Sequence, residues 1–195
     1  MLQVLCYLAR LERAPLYVVF VDLTKAYDSV DRTTLFEAMV HELGVEPGTV
    51  AILRRMHSDV STCVLRDSLL FSQFPVCLGV LQGCPASPIV FSLFLDRLEA
   101  FLDQEAGTGT ASEIEAVRCA GLLIPLLLFA DDIAIPSWSL EVLQRLVAAL
   151  SVFCTRNKLV VNLGKIGWLV GGCAPRSGMA GLRRWFNWCE VTPVL

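Results

Sequence analysis

Residues 122–135 read LLIPLLLFADDIAI: a nine-residue apolar run, two adjacent acids, then apolar residues again. Such a run is read as a buried strand, Leu122 to Ala130, turning tightly at Asp131 and Asp132 into a second strand, Ile133 to Ile135. A membrane-spanning helix needs about 20 apolar residues, and Pro125 interrupts this run. A second stretch has the same character. LYVVFVDL (16–23) is β-branched and aromatic, with one acid, Asp22, near its end, and also reads as a buried strand.

An ionised carboxylate beside so much apolar chain is costly unless a cation or hydrogen bonds compensate it. Aspartate is common at strand ends, so a turn role for each acid taken alone stands beside a functional one. Taken together, a strand-ending acid and a strand–turn–strand pair can lie side by side on adjacent strands. Their oxygens would suit hard divalent cations such as Mg²⁺. Two such ions can activate an attacking hydroxyl and stabilise a leaving phosphate oxygen.

The rest of the chain sets limits. Its 195 residues suit one domain of ordinary size, and 55% hydrophobic against 18% charged residues can bury a real core. The mean hydropathy of +0.60 is high for a free-standing domain, which points to apolar surface normally covered by other parts. The net charge of −3 argues against tight nucleic-acid binding by this chain alone, because phosphate neutralisation supplies most of that affinity. The eight cysteines form no C-x-x-C pair and only two histidines accompany them, so a zinc site is not expected. Arg10, Glu12 and Arg13 break any apolar core of a secretory leader, and reduced thiols in an intracellular protein are the simplest reading.

Periodicity predicts a helix over residues 2–13, one started by Thr33 or Thr34 and stopped by Gly44, and one opened by Pro47. Val60–Arg66 and Leu70–Val80 read as strands joined at Asp67-Ser68. Ile89–Leu102 reads as a buried helix, Glu105–Ala116 as a surface loop, and Leu140 to about Asn157 as a helix capped by Ser139. Leu159–Leu163 and Trp168–Val170 read as short strands. His41 and His57 fall in helical contexts that suggest surface positions, and no G-x-S-x-G supports a serine hydrolase. Strands and helices without regular alternation imply an α+β fold, a mostly antiparallel sheet with helices packed on one face.

Four segments, in order, resemble the motifs of reverse transcriptases of LINE-type (non-LTR) retrotransposons. FVDLTKAYDSVDR (20–32) is similar to the first catalytic motif, VLQGCPASPIVFSLFLDRL (80–98) to the QGxPxSP motif, FADD (129–132) to the catalytic turn, and LVVNLGKIGWLV (159–170) to the motif that follows it. The resemblance implies a right-hand polymerase-like palm over residues 1–170, with incomplete fingers and no thumb, and leaves 171–195 as an unassigned tail. It implies Asp22 and Asp131 as the principal catalytic metal ligands for two Mg²⁺ ions, with Asp132 beside them as a further ligand or electrostatic partner. Tyr27 matches the aromatic that excludes a sugar 2′-hydroxyl, where an ordinary core aromatic is the alternative. Gln82 and Gly83 match the segment touching the incoming nucleotide and template, and Pro85, Ser87 and Pro88 shape that loop or simply open its helix. Lys165 matches a lysine near the triphosphate, or is a solvated surface lysine. Lys25 and Asp28 belong to the first motif, with an exposed ion pair as the plain alternative for both.

The implied partners are an RNA template, a DNA primer and deoxynucleoside triphosphates, with weak nucleic-acid binding by this stretch and no membrane. Leu81 replaces a frequent basic residue before the QG pair, and Ile166 replaces the usual threonine after the lysine. The implied activity is two-metal nucleotidyl transfer to a primer 3′-hydroxyl. The alternative is an inactive, truncated retroelement remnant.

Overall fold

The computed structural model describes residues 1–106, 117–119 and 122–171. The expected tail beyond residue 171 and most of the expected 105–116 loop lie outside the described residues. The chain divides into two compact units.

The first unit comprises Met1–Thr24, Leu98–Arg156 and the chain from Val160. Its centre is β1 (Leu16–Asp22), in a four-stranded antiparallel sheet ordered β10-β1-β9-β8. Here β8 is Leu127–Phe129, β9 is Asp132–Ser137 and β10 is Gly167–Gly171. Alternation along β1 sends Leu16 and Val18 to one face and Val19 and Val21 to the other. All four are nearly solvent-free, so β1 is covered on both sides, as its continuous apolar sequence requires.

Helix α1 (Leu2–Leu11) packs Leu5 and Ala9 against Leu16 and Val18. Its buried face stops short of Leu11, which is exposed. The last helix of the described chain, Leu140–Arg156, buries Val142, Leu143, Leu146, Val147, Leu150 and Phe153 and packs on β9 and β1. The predicted strand 122–130 is interrupted at Pro125. It yields a two-residue strand at Leu122–Leu123 and then β8, because proline cannot donate to a ladder.

The second unit comprises Lys25–Arg97 and Asn157–Leu159. After the short helix α2 (Ala26–Ser29) come α3 (Arg32–His41) and α4 (Pro47–Met56). Asp31, not a threonine, caps α3: its Oδ1 accepts from the Thr34 backbone N–H at 2.9 Å. Pro47 opens α4 as expected, one residue after its cap Glu46. Asp67 and Ser68, both at positive φ, form the turn of a small hairpin pairing Leu65–Arg66 with Leu69–Leu70. The predicted long strands are otherwise reduced to Ser61–Thr62 paired with Phe74–Pro75. Helix α5 (Ser87–Ala106) begins at the predicted loop and buries Phe91, Phe94 and Leu95.

His57 departs from the surface expectation. It is buried, its Nδ1 lies 2.8 Å from the Leu53 carbonyl, and its ring meets Phe36 edge-on. The exposed-helix pattern around it was misleading because residue 57 ends α4, where the chain turns inward. Cys154 is also buried, and that burial pushes its thiol up to about 12. No helix among the described residues is long and apolar enough to cross a membrane.

Asp31 offers a direct test of the α3 cap. Hydrogen bonds from Lys158 and from the Thr34 N–H lower its carboxyl from 3.8 to about 2. A depressed carboxylate stabilises the fold above its unfolded value and loses that contribution as pH falls through the folded value. Replacing Asp31 by Ala is expected to cost about 1 kcal/mol near neutral pH. Urea denaturation of both proteins should show the gap closing between 3.8 and about 2. A gap that persists below that window would refute the assignment.

Candidate active site

The register of the first unit positions the acids. Val19 faces Ile135, Val21 faces Ile133, and Asp22 falls directly opposite Asp132. Directly opposed residues share a face, with Cβ atoms about 5 Å apart. Asp131 occupies the two-residue turn joining β8 to β9, since Phe129 pairs with Asp132. Successive residues along a strand point to opposite faces, which is why the adjacent acids do not enter the arrangement equally. Ala130, the other turn residue, takes φ +54, the sign a tight hairpin needs.

Opposite the other edge of β1, the chain runs antiparallel twice. Gly167–Gly171 pairs with Leu16–Phe20, and Val161 forms a bridge to Leu23. The two pairings differ in register by three residues, which the 3₁₀ turn Leu163–Lys165 absorbs. That turn brings Lys165 onto Asp22, with Nζ 3.1 Å from Oδ2 and 3.3 Å from Oδ1. Asn162 holds the same acid twice. Its backbone N–H donates to the Asp22 carbonyl at 2.9 Å and its Nδ2 to Oδ2 at 3.1 Å. The motif pattern contained Asn162, but nothing in the sequence assigned it this contact. A cleft of about 530 Å³ beside these groups is lined by Phe20, Asp22, Phe129, Asp132 and Lys165, among others. Phe129 is 81% exposed there.

The donor chemistry suits a hard divalent cation. Asp22 already holds one cation, the Lys165 ammonium, and Asp132 faces it with free oxygens at an exposed position. Among the described residues no group of three His, Cys, Asp or Glu side chains closes round one point. Divalent-cation sites can use one or two carboxylates completed by water and substrate phosphates, and the opposed pair fits that donor count.

The other expected contact residues belong to the second unit. Tyr27 stacks on Phe91 with ring centroids 4.5 Å apart. The Val80 N–H donates to the Tyr27 carbonyl at 2.8 Å, and the Gly79 N–H to the Val30 carbonyl at 2.8 Å. Gln82 donates from Nε2 to Asp28 Oδ1 at 2.6 Å, so Asp28 serves the glutamine loop, where an ion pair with Lys25 was the plain alternative. Gly83 takes φ +83. Buried Ser87 donates to the Leu81 carbonyl at 2.6 Å and closes the 81–87 loop at the mouth of α5. Arg32, present in the motif but unassigned, donates into the 76–79 segment. Burial holds its guanidinium below its ordinary value.

A reverse transcriptase (RNA-dependent DNA polymerase) family model matches residues 4–179. The chain belongs to this family. It is 29% identical over 175 residues to the Pol polyprotein of a type-1 R2 retrotransposable element from Popillia japonica, covering 86% of this chain and 23% of that protein. The type-2 R2DM Pol polyprotein of Drosophila melanogaster is 30% identical over 115 residues, covering 59% of this chain and 11% of the relative. The chain thus spans under a quarter of the length of these relatives. Among solved structures, apo telomerase from Candida tropicalis superposes with a TM-score of 0.62 at 16% identity, covering 86% of this chain and 34% of that one. A Candida tropicalis telomerase in complex with a telomeric RNA fragment gives 0.60 at 15% identity, covering 81% and 26%. The fold is therefore that of right-hand polymerases, and the non-LTR resemblance agrees with the R2 relatives. Enzymes of this family use divalent metal ions.

Ala130 provides a test of the turn. A left-handed conformation costs a non-glycine residue about 1–2 kcal/mol, against roughly 0.5–1 kcal/mol for the extra unfolded-state freedom of glycine. Ala130→Gly is therefore expected to stabilise the protein by about 0.5 kcal/mol, measurable as a raised urea midpoint. A lowered midpoint would mean that the turn is not strained.

Proposed function

We propose that this stretch is the catalytic palm of an RNA-directed DNA polymerase, extending a DNA primer on an RNA template. The observation that supports it is the register pairing of Asp22 with Asp132 beside an open cleft. In this reading the primer 3′-hydroxyl oxygen attacks the α-phosphorus of a deoxynucleoside triphosphate. The bond to the bridging oxygen breaks and pyrophosphate leaves. Asp22 and Asp132 would hold the divalent cations, with Asp131 in the adjoining turn able to supply a further oxygen. Two Mg²⁺ ions, when bound, would ease deprotonation of the hydroxyl and take up charge on the leaving oxygen.

The chain's own residues do the remainder. Asn162 orients the Asp22 carboxylate. Lys165 neutralises it before substrate arrives and is then placed to meet negative charge on the triphosphate. Tyr27, held flat on Phe91, supports the sugar and leaves room for hydrogen but not hydroxyl at C2′. Gln82 and Gly83 contact the incoming nucleotide and template. The net charge of −3 makes grip on nucleic acid by this stretch alone weak. The family and its R2 relatives favour this reading over a remnant without catalysis.

Primer extension on an RNA template tests the proposal, using the chain alone and grafted in place of the corresponding stretch of the Popillia japonica R2 polypeptide. The graft is expected to extend the primer with Mg²⁺. Asp22→Asn is expected to lower kcat by about 10³-fold, the loss of roughly 4 kcal/mol of transition-state stabilisation. Undiminished extension by Asp22→Asn, or no extension by a folded graft where the parent is active, would overturn it.

A further inference from the structure

The guanidinium of Arg32 spends four N–H donors on backbone carbonyls far away in sequence. Nε donates to Gly79 at 2.6 Å, Nη1 to Val76 and His57 at 2.8 Å each, and Nη2 to Leu78 at 3.1 Å. All four acceptors are neutral. A partly buried charge satisfied only by carbonyls is a costly way to tie a loop, and a polar neutral side chain would fulfil a purely structural need at lower cost. What distinguishes the guanidinium is its rigid fork, which fixes several acceptors in one geometry.

The segment so fixed presses on Tyr27. Gly79 sits at φ +79, and a Cβ there would lie 2.7 Å from both the Asp28 Cα and the Tyr27 carbonyl oxygen, both backbone atoms. The next N–H, that of Val80, donates to the same Tyr27 carbonyl. Phe91 supports the ring of Tyr27, and Gln82, two residues beyond Val80, bonds to Asp28. Asp28, Arg32 and Gln82 line one cleft of about 730 Å³. Thus the ring and the amide take their positions from one strap of backbone, and Arg32 holds that strap.

We propose that Arg32 and Gly79 form a clasp that sets the sugar selectivity of the site by fixing Tyr27 and Gln82. The proposal rests on the reading of Tyr27 and Gln82 as nucleotide contacts. Arg32 is a positioning residue in it, and Gly79 is the one residue that lets the strap lie this close. A hydrogen and a hydroxyl differ by about an ångström in reach, and misplacements of that size carry effects of up to about 10²-fold. Loosening the strap therefore erodes discrimination.

The test combines two measurements on the chain and on its Arg32→Ala, Arg32→Lys and Gly79→Ala variants. One is amide hydrogen exchange at Gly79 and Val80, with the Leu35 amide of α3 as the folding control. The other is equilibrium binding of dATP and of ATP with Mg²⁺. Arg32→Ala is expected to speed exchange at Gly79 and Val80 by about tenfold or more while Leu35 is unchanged. The dATP-to-ATP preference is expected to narrow by about tenfold. Arg32→Lys keeps the charge without the fork and is expected to follow Arg32→Ala, as is Gly79→Ala. A preference that survives Arg32→Ala, unchanged exchange at Gly79 and Val80, or wild-type behaviour of Arg32→Lys would each overturn the clasp alone. A chain without sugar preference, unaltered by Tyr27→Ala, would instead sink the nucleotide reading and the clasp with it.

Discussion

The antiparallel register of β1 against β9 is the constraint on which the site depends. Because side chains alternate with a period of two, a slip of one residue would turn Asp22 and Asp132 to opposite faces of the sheet. The register is held by burial on both faces. Val19 and Ile135 form one opposed pair, Val21 and Ile133 the next, and all four are nearly solvent-free. Each fully buried side chain of this kind contributes about 1.5–3 kcal/mol. Several such pairs outweigh the repulsion between two carboxylates at the ends of adjacent inner strands, so the core imposes the acidic pair on the end of the sheet.

The second unit solves a different problem. Its loop residues need placement without a sheet to hold them. Here backbone hydrogen bonds from Gly79 and Val80, the Ser87 hydroxyl on Leu81 and the four-carbonyl grip of Arg32 take the place of a ladder. Each of these partners lies within this unit.

Much of this was legible from residues alone, for identifiable reasons. β1 was readable because an uninterrupted β-branched run ending in a single acid has few alternatives, and α4 because Pro47 marks its first turn. Helix 140–156 was readable from its period. The strand before β8 is shorter than its apolarity suggests, because the missing N–H of Pro125 decides pairing. The start of α3 lies earlier than Thr33 and Thr34 suggest, because Asp31 caps it through its own side chain. His57 was assigned to the surface because composition does not reveal where a helix end turns inward. The acids stand out as carboxylates at the ends of apolar strands, while Tyr27, Gln82 and Lys165 rest on a resemblance; Asn162 on Asp22 and Arg32 on the 76–79 carbonyls are contacts across more than forty residues, which no local pattern encodes.

The 3₁₀ turn Leu163–Lys165 carries a consequence for how such a chain can decay. It is a three-residue insert between two stretches already paired to β1, so its loss would let the flanking stretches join in one continuous ladder. The sheet would survive such a deletion while the ammonium that guards Asp22 disappeared. The ladder on β1 and the ion pair on Asp22 are therefore separable in this molecule, since they depend on different residues of the same stretch.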